Sequence, residues 1–488
     1  MPGVVVNTGV RIGGAGAEQA PSSTLFVVGT SERGRTTAYT VRSMSEFVAE
    51  YGDYTGDGVL HQHVQAFFEE GGVRAIVARV VGPAATTGSH TLEDSAAGNA
   101  IVLTAANAGE WSEELTVDTA NETTSFSMTI KLKGSTIFTG SFSTNAAAIA
   151  AVNNTVGHIV TASAGASSNL PDTGSFTFTA GDADLDAASD TVHASALDEF
   201  GDELGTGVVA IPERYGSTIW GALATHAEAN KRVAFASFSA ATSYTSAITA
   251  AASYAGTTDA EKNKFAHLAF FWPQVVVPDG AGGTRSISPE SYAAAARARQ
   301  IIAAGGPWKP AAGITSAARF ALGLSSNGTA TKVPKTISNA LDDGRVNAIR
   351  VIDGQIRIYG ARSASADTVN WRYITYRDTV NQIATSCEKA LEQFVFSPID
   401  NRKALFGAIS SSLVSILDAV KDAGGLYSMV DGLGNQVDRG YSVEVNDSLN
   451  PLAQLAEGLI VAKVGVRVAG VADLITLTIT KSSLTAAL

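Results

Sequence analysis

Acid–base, nucleophilic or metal chemistry in this chain would have to come from seven histidines, one cysteine and 46 aspartates and glutamates. Their spacing suits it poorly. His61 and His63 stand two apart in a stretch with helical periodicity, which turns them to different faces and away from a shared metal ion. The other histidines are scattered and have no cysteine beside them. Asp342-Asp343 precede Gly344 and read as a turn. Glycines near Gly13 and Gly280 do not sit between a strand and a helix with an acidic residue beyond, as a dinucleotide site requires. They read as loops. The sequence has no Walker phosphate loop and no G-x-S-x-G elbow. Cys387 has no second cysteine to pair with and lies in an apolar helical stripe, where a buried, inert thiol is expected. No catalytic residue, cofactor or metal ligand is assigned. An α/β enzyme with a β insertion, its site assembled from distant residues, is the rival reading.

The 488 residues suggest about three domains at roughly 150 residues each. Hydrophobic residues make up 45%, enough for a large core, and charged residues only 16%, which suits a subunit covered by partners. The net charge of -12, with no Lys/Arg run, argues against direct nucleic-acid contact. No apolar segment follows Met1, so the expectation is a protein folded in a cytoplasm. No stretch reaches about 18 uninterrupted apolar residues. Leu459 to Ile479 is broken by Lys463, Arg467 and Asp473 and reads as strands, so no membrane insertion is expected.

Val4, Val5 and Val6, followed by Gly9, Gly13, Gly14 and Gly16, look like an arm and not a core element. Thr24 to Gly29 reads as a buried strand. Ser43 and Glu46 have capping-box spacing ahead of Phe47 and Tyr51, with Gly52 as a stop. Leu60, Val64, Phe67 and Phe68 form one helical face, ended by Gly71-Gly72. Val73 to Val81 is the next strand, interrupted by Arg74 and Arg79. Strand, helices, strand is a crossover pattern. Residues 88–190 turn rich in Ser, Thr, Ala and Gly. Within them Phe126, Met128, Ile130 and Leu132 alternate, Gly134-Ser135 turns, and Ile137 to Phe142 returns, as in a small β insertion. Core strands resume at Gly207 to Pro212, Val233 to Phe238 and Phe265 to Trp272. Ser288 reads as an N-cap with Pro289 first in the helix and Gly305-Gly306 as its stop. Asn347 to Ile352 and Gln355 to Tyr359 form a pair turning at Asp353-Gly354.

The last part is the clearest. Val380, Ile383, Cys387, Leu391 and Phe394 form one helical stripe. Leu405, Ile409, Leu413, Ile416, Leu417 and Val420 form a second, ended by Gly424-Gly425. Tyr441, Val443 and Val445 alternate, as do Val464, Val466 and Val468. Ile475, Leu477 and Ile479 alternate with Thr476, Thr478 and Thr480, beyond a hinge at Gly470.

These features in this order resemble the contractile-tail sheath family of phages, bacteriocins and injection machines. The carriers are Met1-Pro2-Gly3-Val4, Phe26-Val27-Val28-Gly29 with Arg33-Gly34, Phe67-Phe68 with Gly71-Gly72 and Ala78-Arg79-Val80, and Asn107-Ala108-Gly109-Glu110-Trp111. In the second half they are Pro307-Trp308-Lys309-Pro310-Ala311-Ala312-Gly313, Asn347 to Arg350, Ile358-Tyr359-Gly360-Ala361-Arg362, Trp371-Arg372-Tyr373-Ile374, Phe394-Val395-Phe396, Gly424-Gly425, and Asn446 with Asn450. Tyr359 stands where the family has Trp, and Ser363 where it has Thr. The likeness spans nearly the whole chain except the insertion.

The resemblance implies a multidomain α/β and α+β fold. Residues 1–20 would be a linking arm, 21–87 with 191–360 the α/β sheath domain, 88–190 an inserted outer β-rich domain, 361–470 a tube-facing α+β domain, and 471–488 a linking strand. It implies a non-enzymatic virion tail protein without cofactors, assembled in the host bacterial cytoplasm into a helical homo-oligomer of stacked rings. Its other partners would be the tail tube, baseplate and tail terminator proteins. Strand donors would be Val4, Val5, Val6 and Leu474, Ile475, Thr476, Leu477, Thr478, Ile479, Thr480, adding by β-augmentation to a neighbour's sheet edge. The seven C-terminal donors would reach roughly 23 Å. Arg402, Lys403 and Lys421, at the ends of the second C-terminal helix, are candidate tube contacts, with solvated helix ends the alternative. A bacteriocin or injection-system sheath would share the mechanism.

Overall fold

The computed structural model describes residues 22–54, 58–279, 282–399 and 404–473. The apolar runs that lack strand alternation become the inner strands of one eight-stranded sheet. Its order is Gln355–Tyr359, Val346–Ile352, Leu268–Trp272, Val233–Ser237, Val208–Ala210, Leu25–Gly29, Ala75–Arg79, Tyr39–Val41. The six inner strands are parallel and the two outer ones antiparallel. Parallel strands are covered on both faces, which is why Leu25–Gly29 and Leu268–Trp272 are buried at every position. The Glu290–Ala304 helix touches three of these strands and is buried almost all round. Trp220 packs edge-on against Phe238, Tyr254 and Phe270, joining the Ser217–Ala229 helix to the sheet.

Local signals act largely as read. The Ser43 hydroxyl accepts from the Glu46 amide at 3.2 Å, while the Glu46 carboxylate takes the Arg42 amide, one residue earlier than a full capping box. Gly305 closes its helix in the left-handed region at φ 74. Asp353 and Gly354 both have positive φ, 50 and 77, as a two-residue hairpin with right-handed twist requires.

Five readings are corrected. Asp342-Asp343 end the Lys335–Asp343 helix instead of forming a free turn. The third core strand starts at Leu268, because a capping box at Thr258 and Glu261 carries a helix through Phe265. The insertion hairpin turns at Lys133-Gly134, since Leu132 pairs with Ser135. Ser288 does not cap its helix; its hydroxyl accepts from the Glu213 amide at 3.2 Å. Arg79 does not interrupt its strand but is that strand's last residue, buried to 1% exposure.

Arg79 explains the Asn107-to-Trp111 motif. Its guanidinium donates to the carbonyls of Ser31 (3.1 Å), Gly34 (3.2 Å), Glu32 (3.2 Å) and Ala108 (2.9 Å). Gly109 sits at φ 137, where a Cβ would meet the Trp111 ring at 2.8 Å and the Glu32 carbonyl at 3.0 Å. Beyond it lie two small antiparallel sheets and the Asn145–Val156 helix around Leu103, Leu115, Phe126 and Ile130. This region enters and leaves the body at one point, where the Gly82 amide bonds the Ala183 carbonyl at 2.9 Å.

Candidate functional site

The second half of the chain ends in a small α+β unit. The Ile374–Leu391 and Ala404–Asp422 helices pack together, and the second buries the stripe read from its sequence, Leu405, Ile409, Leu413, Ile416, Leu417 and Val420, plus Phe406. This helix is long and apolar enough to cross a membrane by length and composition. Its apolar stripe, however, packs against Cys387, Val443 and Val464. Those valines belong to a two-stranded antiparallel sheet, Tyr441–Glu444 against Lys463–Val466. Alternation turns Tyr441, Val443, Val464 and Val466 to the helices and leaves Ser442, Glu444, Lys463 and Gly465 exposed. Asn450, 1% exposed, closes the intervening loop: its side chain donates to the carbonyls of Asn446 and Val461, 3.0 Å each, and accepts the Val461 amide at 2.6 Å.

Among the described residues this sheet has no third strand, and neither outer edge is paired with another strand. Two strands alone are marginal in water, and an open edge is a template for another chain. The inward valines are only half-buried, which leaves apolar surface that added strands would cover.

The chain then runs back to the large sheet. Val468 bridges Leu426, and Asp473 reaches the body, accepting from the Tyr373 hydroxyl at 2.8 Å and lying 3.2 Å from Arg372 and 3.4 Å from Arg362. Arg362 is also held by both Asp342 oxygens. Burial lowers the Arg362 pKa, but Asp342 outweighs it and the guanidinium is held above its ordinary value. Burial and the Asp473 hydrogen bond push Tyr373 up to about 12. Arg362 belongs to the G-A-R motif, but no local signal marked Asp473 as its partner.

The predicted donors Val4, Val5, Val6 and Leu474 to Thr480, with Arg402 and Lys403, lie outside the described residues. Lys421 is described. Its ammonium is 2.8 Å from Asp418 and 3.4 Å from Asp422, so its charge is matched within its own helix.

The titratable side chains form structural clusters. His61 lies 3.3 Å from Asp53. His63 bonds elsewhere, to Ser291 at 3.0 Å and Glu213 at 3.4 Å. Strand order reverses between Leu25–Gly29 and Val208–Ala210, and at the carboxyl ends of such strands open α/β sheets bind ligands. Here Ser291, His63 and Glu213 fill that place, with Ser291 at 0% and His63 at 1% exposure. The atom order is that of a nucleophile, base and acid, but the serine is sealed from any substrate. Burial alone would raise Glu213; bonds from His63, Tyr215 and the Ser288 amide reverse this and hold it at about 2. Cys387 is half-buried and not fully buried as expected, and that burial pushes its thiol up to about 11. Among the described residues no group of three His, Cys, Asp or Glu is placed to hold a metal ion.

No protein-family model matches the chain, and no curated protein matches it in sequence. Solved structures do. The chain is similar to the PVC sheath of an extracellular contractile injection system in its contracted state, with TM-score 0.55 and 15% identity over 99% of this chain and 98% of that one. A chain of the anti-feeding prophage baseplate gives 0.55 and 14%, covering 99% of each. A sheath tail protein from Listeria innocua gives 0.60 and 12%, over 89% of this chain and 92% of its own. This multidomain α/β architecture is the fold of contractile sheath proteins, as the sequence resemblance implied.

Proposed function

We propose that this chain is a structural, non-enzymatic subunit of a contractile sheath that polymerises helically around an inner tube and shortens to drive it through a target envelope. The observation that carries the reading is a sheath fold along nearly the whole chain, ending in a sheet that has two strands and no third among the described residues. Terminal segments of neighbours, residues 4–6 and 474–480, would pair with the edges of that sheet and cover the half-buried valines. Such links are heterologous and propagate into rings and helices. They tether subunits while rigid bodies rotate, so contraction needs no nucleotide: the extended lattice is kinetically trapped and new contacts between bodies stabilise the contracted one. The partners are further copies, the tube, a baseplate and a tail terminator. The place is a tail assembled in the host cytoplasm. Coverage of 99% against two injection-system chains favours an injection device as a second setting for the same mechanism.

Negative-stain microscopy of the purified protein tests this. Long, hollow, striated cylinders are expected, with or without added tube. Particles that stay small and discrete after the tube protein is added would overturn the reading.

A further inference from the structure

The large sheet carries unmatched charge at both ends. At one edge the register of Val346–Ile352 with Gln355–Tyr359 sets Arg350 directly opposite Arg357. Like charges facing across a strand pair destabilise it. The alternate side chains Ile349, Ile356 and Ile358 are buried, so the arginines face outward of necessity. Among the described residues neither forms an ion pair. Arg350 lies over the Tyr359 ring, 5.1 Å from its centroid, and its buried Nε has no acceptor. Among the described residues Arg357 reaches only the Gln355 side chain, at 2.6 Å.

At the other end, Asp198, Glu199, Asp202 and Glu203 fall within six residues just before Val208–Ala210, all exposed. Arg232, fully buried, pins this loop from beneath by donating to the carbonyls of Phe200 (2.5 Å), Gly201 (2.5 Å) and Gly205 (2.9 Å). None of the four carboxylates forms an ion pair among the described residues. Asp202 and Glu203 line a groove with Glu388 and Glu392 of the C-terminal unit and with Lys231 and Lys389; Lys231 lies 2.8 Å from Glu388, so the groove keeps more acids than cations. Two buried hydroxyls on that groove, Thr206 and Thr385, have no hydrogen-bond partner among the described residues. The inner strands are parallel. The acidic loop therefore precedes their amino ends, and the arginine pair flanks the turn at their carboxyl end.

We propose that these ends pair between copies of the chain, Arg350 and Arg357 of one copy seating against the 198–203 loop and its groove on the next. The proposal rests on the assembly reading above and adds a body-to-body contact to it. A chain of net charge -12 repels its own copies unless its cations are aimed at its acids. Basic and acidic patches at opposite ends make a head-to-tail contact that continues from copy to copy.

Two charge-reversed full-length proteins test this, Arg350→Glu/Arg357→Glu and Asp202→Lys/Glu203→Lys. Circular dichroism and urea midpoints check that each folds. Arg357→Gln is the milder variant if the first does not. Each alone should yield at least about tenfold less pelletable assembly than wild type, one decade of affinity. An equimolar mixture should regain it, because the reversed ends match each other. Sedimentation velocity of the same mixture at about 50 mM and 500 mM salt reads the pairing even without cylinders, and the complex should weaken at the higher salt. Assembly of either variant at the wild-type level overturns the proposal, as does a mixture that regains nothing. If wild type forms no cylinders even with the tube protein added while the mixture still associates, the sheath reading fails and the paired ends stand.

Discussion

At the residue scale, buried cations hold loop carbonyls together. Arg79 satisfies four carbonyls from two distant segments, and burial lowers its pKa to about 10. Replacing it by Met leaves those carbonyls without their donor, and an unsatisfied buried polar group costs about 1–3 kcal/mol. Arg79→Met should therefore lose at least about 3 kcal/mol in urea unfolding. Arg232 sets up a pH dependence. His226 Nε2 lies 2.9 Å from its guanidinium and His267 Nδ1 lies 2.8 Å from its carbonyl. Burial first, then the charges of Arg232 and Arg377 respectively, lower both imidazoles to about 4. A depressed folded pKa means the unfolded chain binds more protons as pH falls below 6.5, so stability is present above that value and is lost toward pH 4. The free energy of unfolding in urea should fall from pH 7 to pH 5, by about 2 kcal/mol for His267 alone. His267→Asn should flatten that fall.

At the element scale, the two-stranded sheet and the segment leaving it decide the assembly prediction. Removing residues 472–488 deletes Asp473 and the proposed C-terminal donors. Arg362 keeps Asp342, and the Asp473 ion pairs lost are part-exposed, worth about 1 kcal/mol or less each. The expected product is a folded monomer by sedimentation velocity. Cylinders from the truncated chain would show that the link lies elsewhere.

At the scale of the whole molecule, the β-rich region is attached at one point but braced at a second. Lys133, at its hairpin tip, lies 2.6 Å from Glu32 and 3.3 Å from Glu114, beside the Arg79–Ala108 bond. It should move with the large sheet as one body. Because Gly82 and Ala183 are already hydrogen-bonded, replacing residues 84–181 by a short Gly-Ser link should leave a folded protein. The truncated body should be less stable, with Arg79 short of one acceptor, and should still assemble. A calorimetric transition lost altogether would show instead that the body depends on the inserted sheets.

What the sequence settled by itself was whatever a single element encodes: the stripe of the Ala404–Asp422 helix, the Asp353-Gly354 turn, the alternation of Tyr441 with Val443, and the Gly305 stop. These depend on periodicity and backbone φ within a few residues. The Ile374–Leu391 helix shows where that ends. Ile383 kept to the expected apolar stripe, yet Asp378, Asn381, Gln382 and Ser386 are buried too, on a second face that reads as solvent-exposed. Asp378 is gripped by both arms of Arg297 at 2.7 Å, and Asn381 donates to the Arg232 carbonyl at 3.1 Å. Those partners lie 81 and 149 residues away. Glu70, fully buried, likewise takes the amides of Arg319, Phe320 and Ala321. Only the tertiary structure decided these polar sites. A charged side chain is buried when a distant partner satisfies it, and nothing in its own neighbourhood records which partner that is.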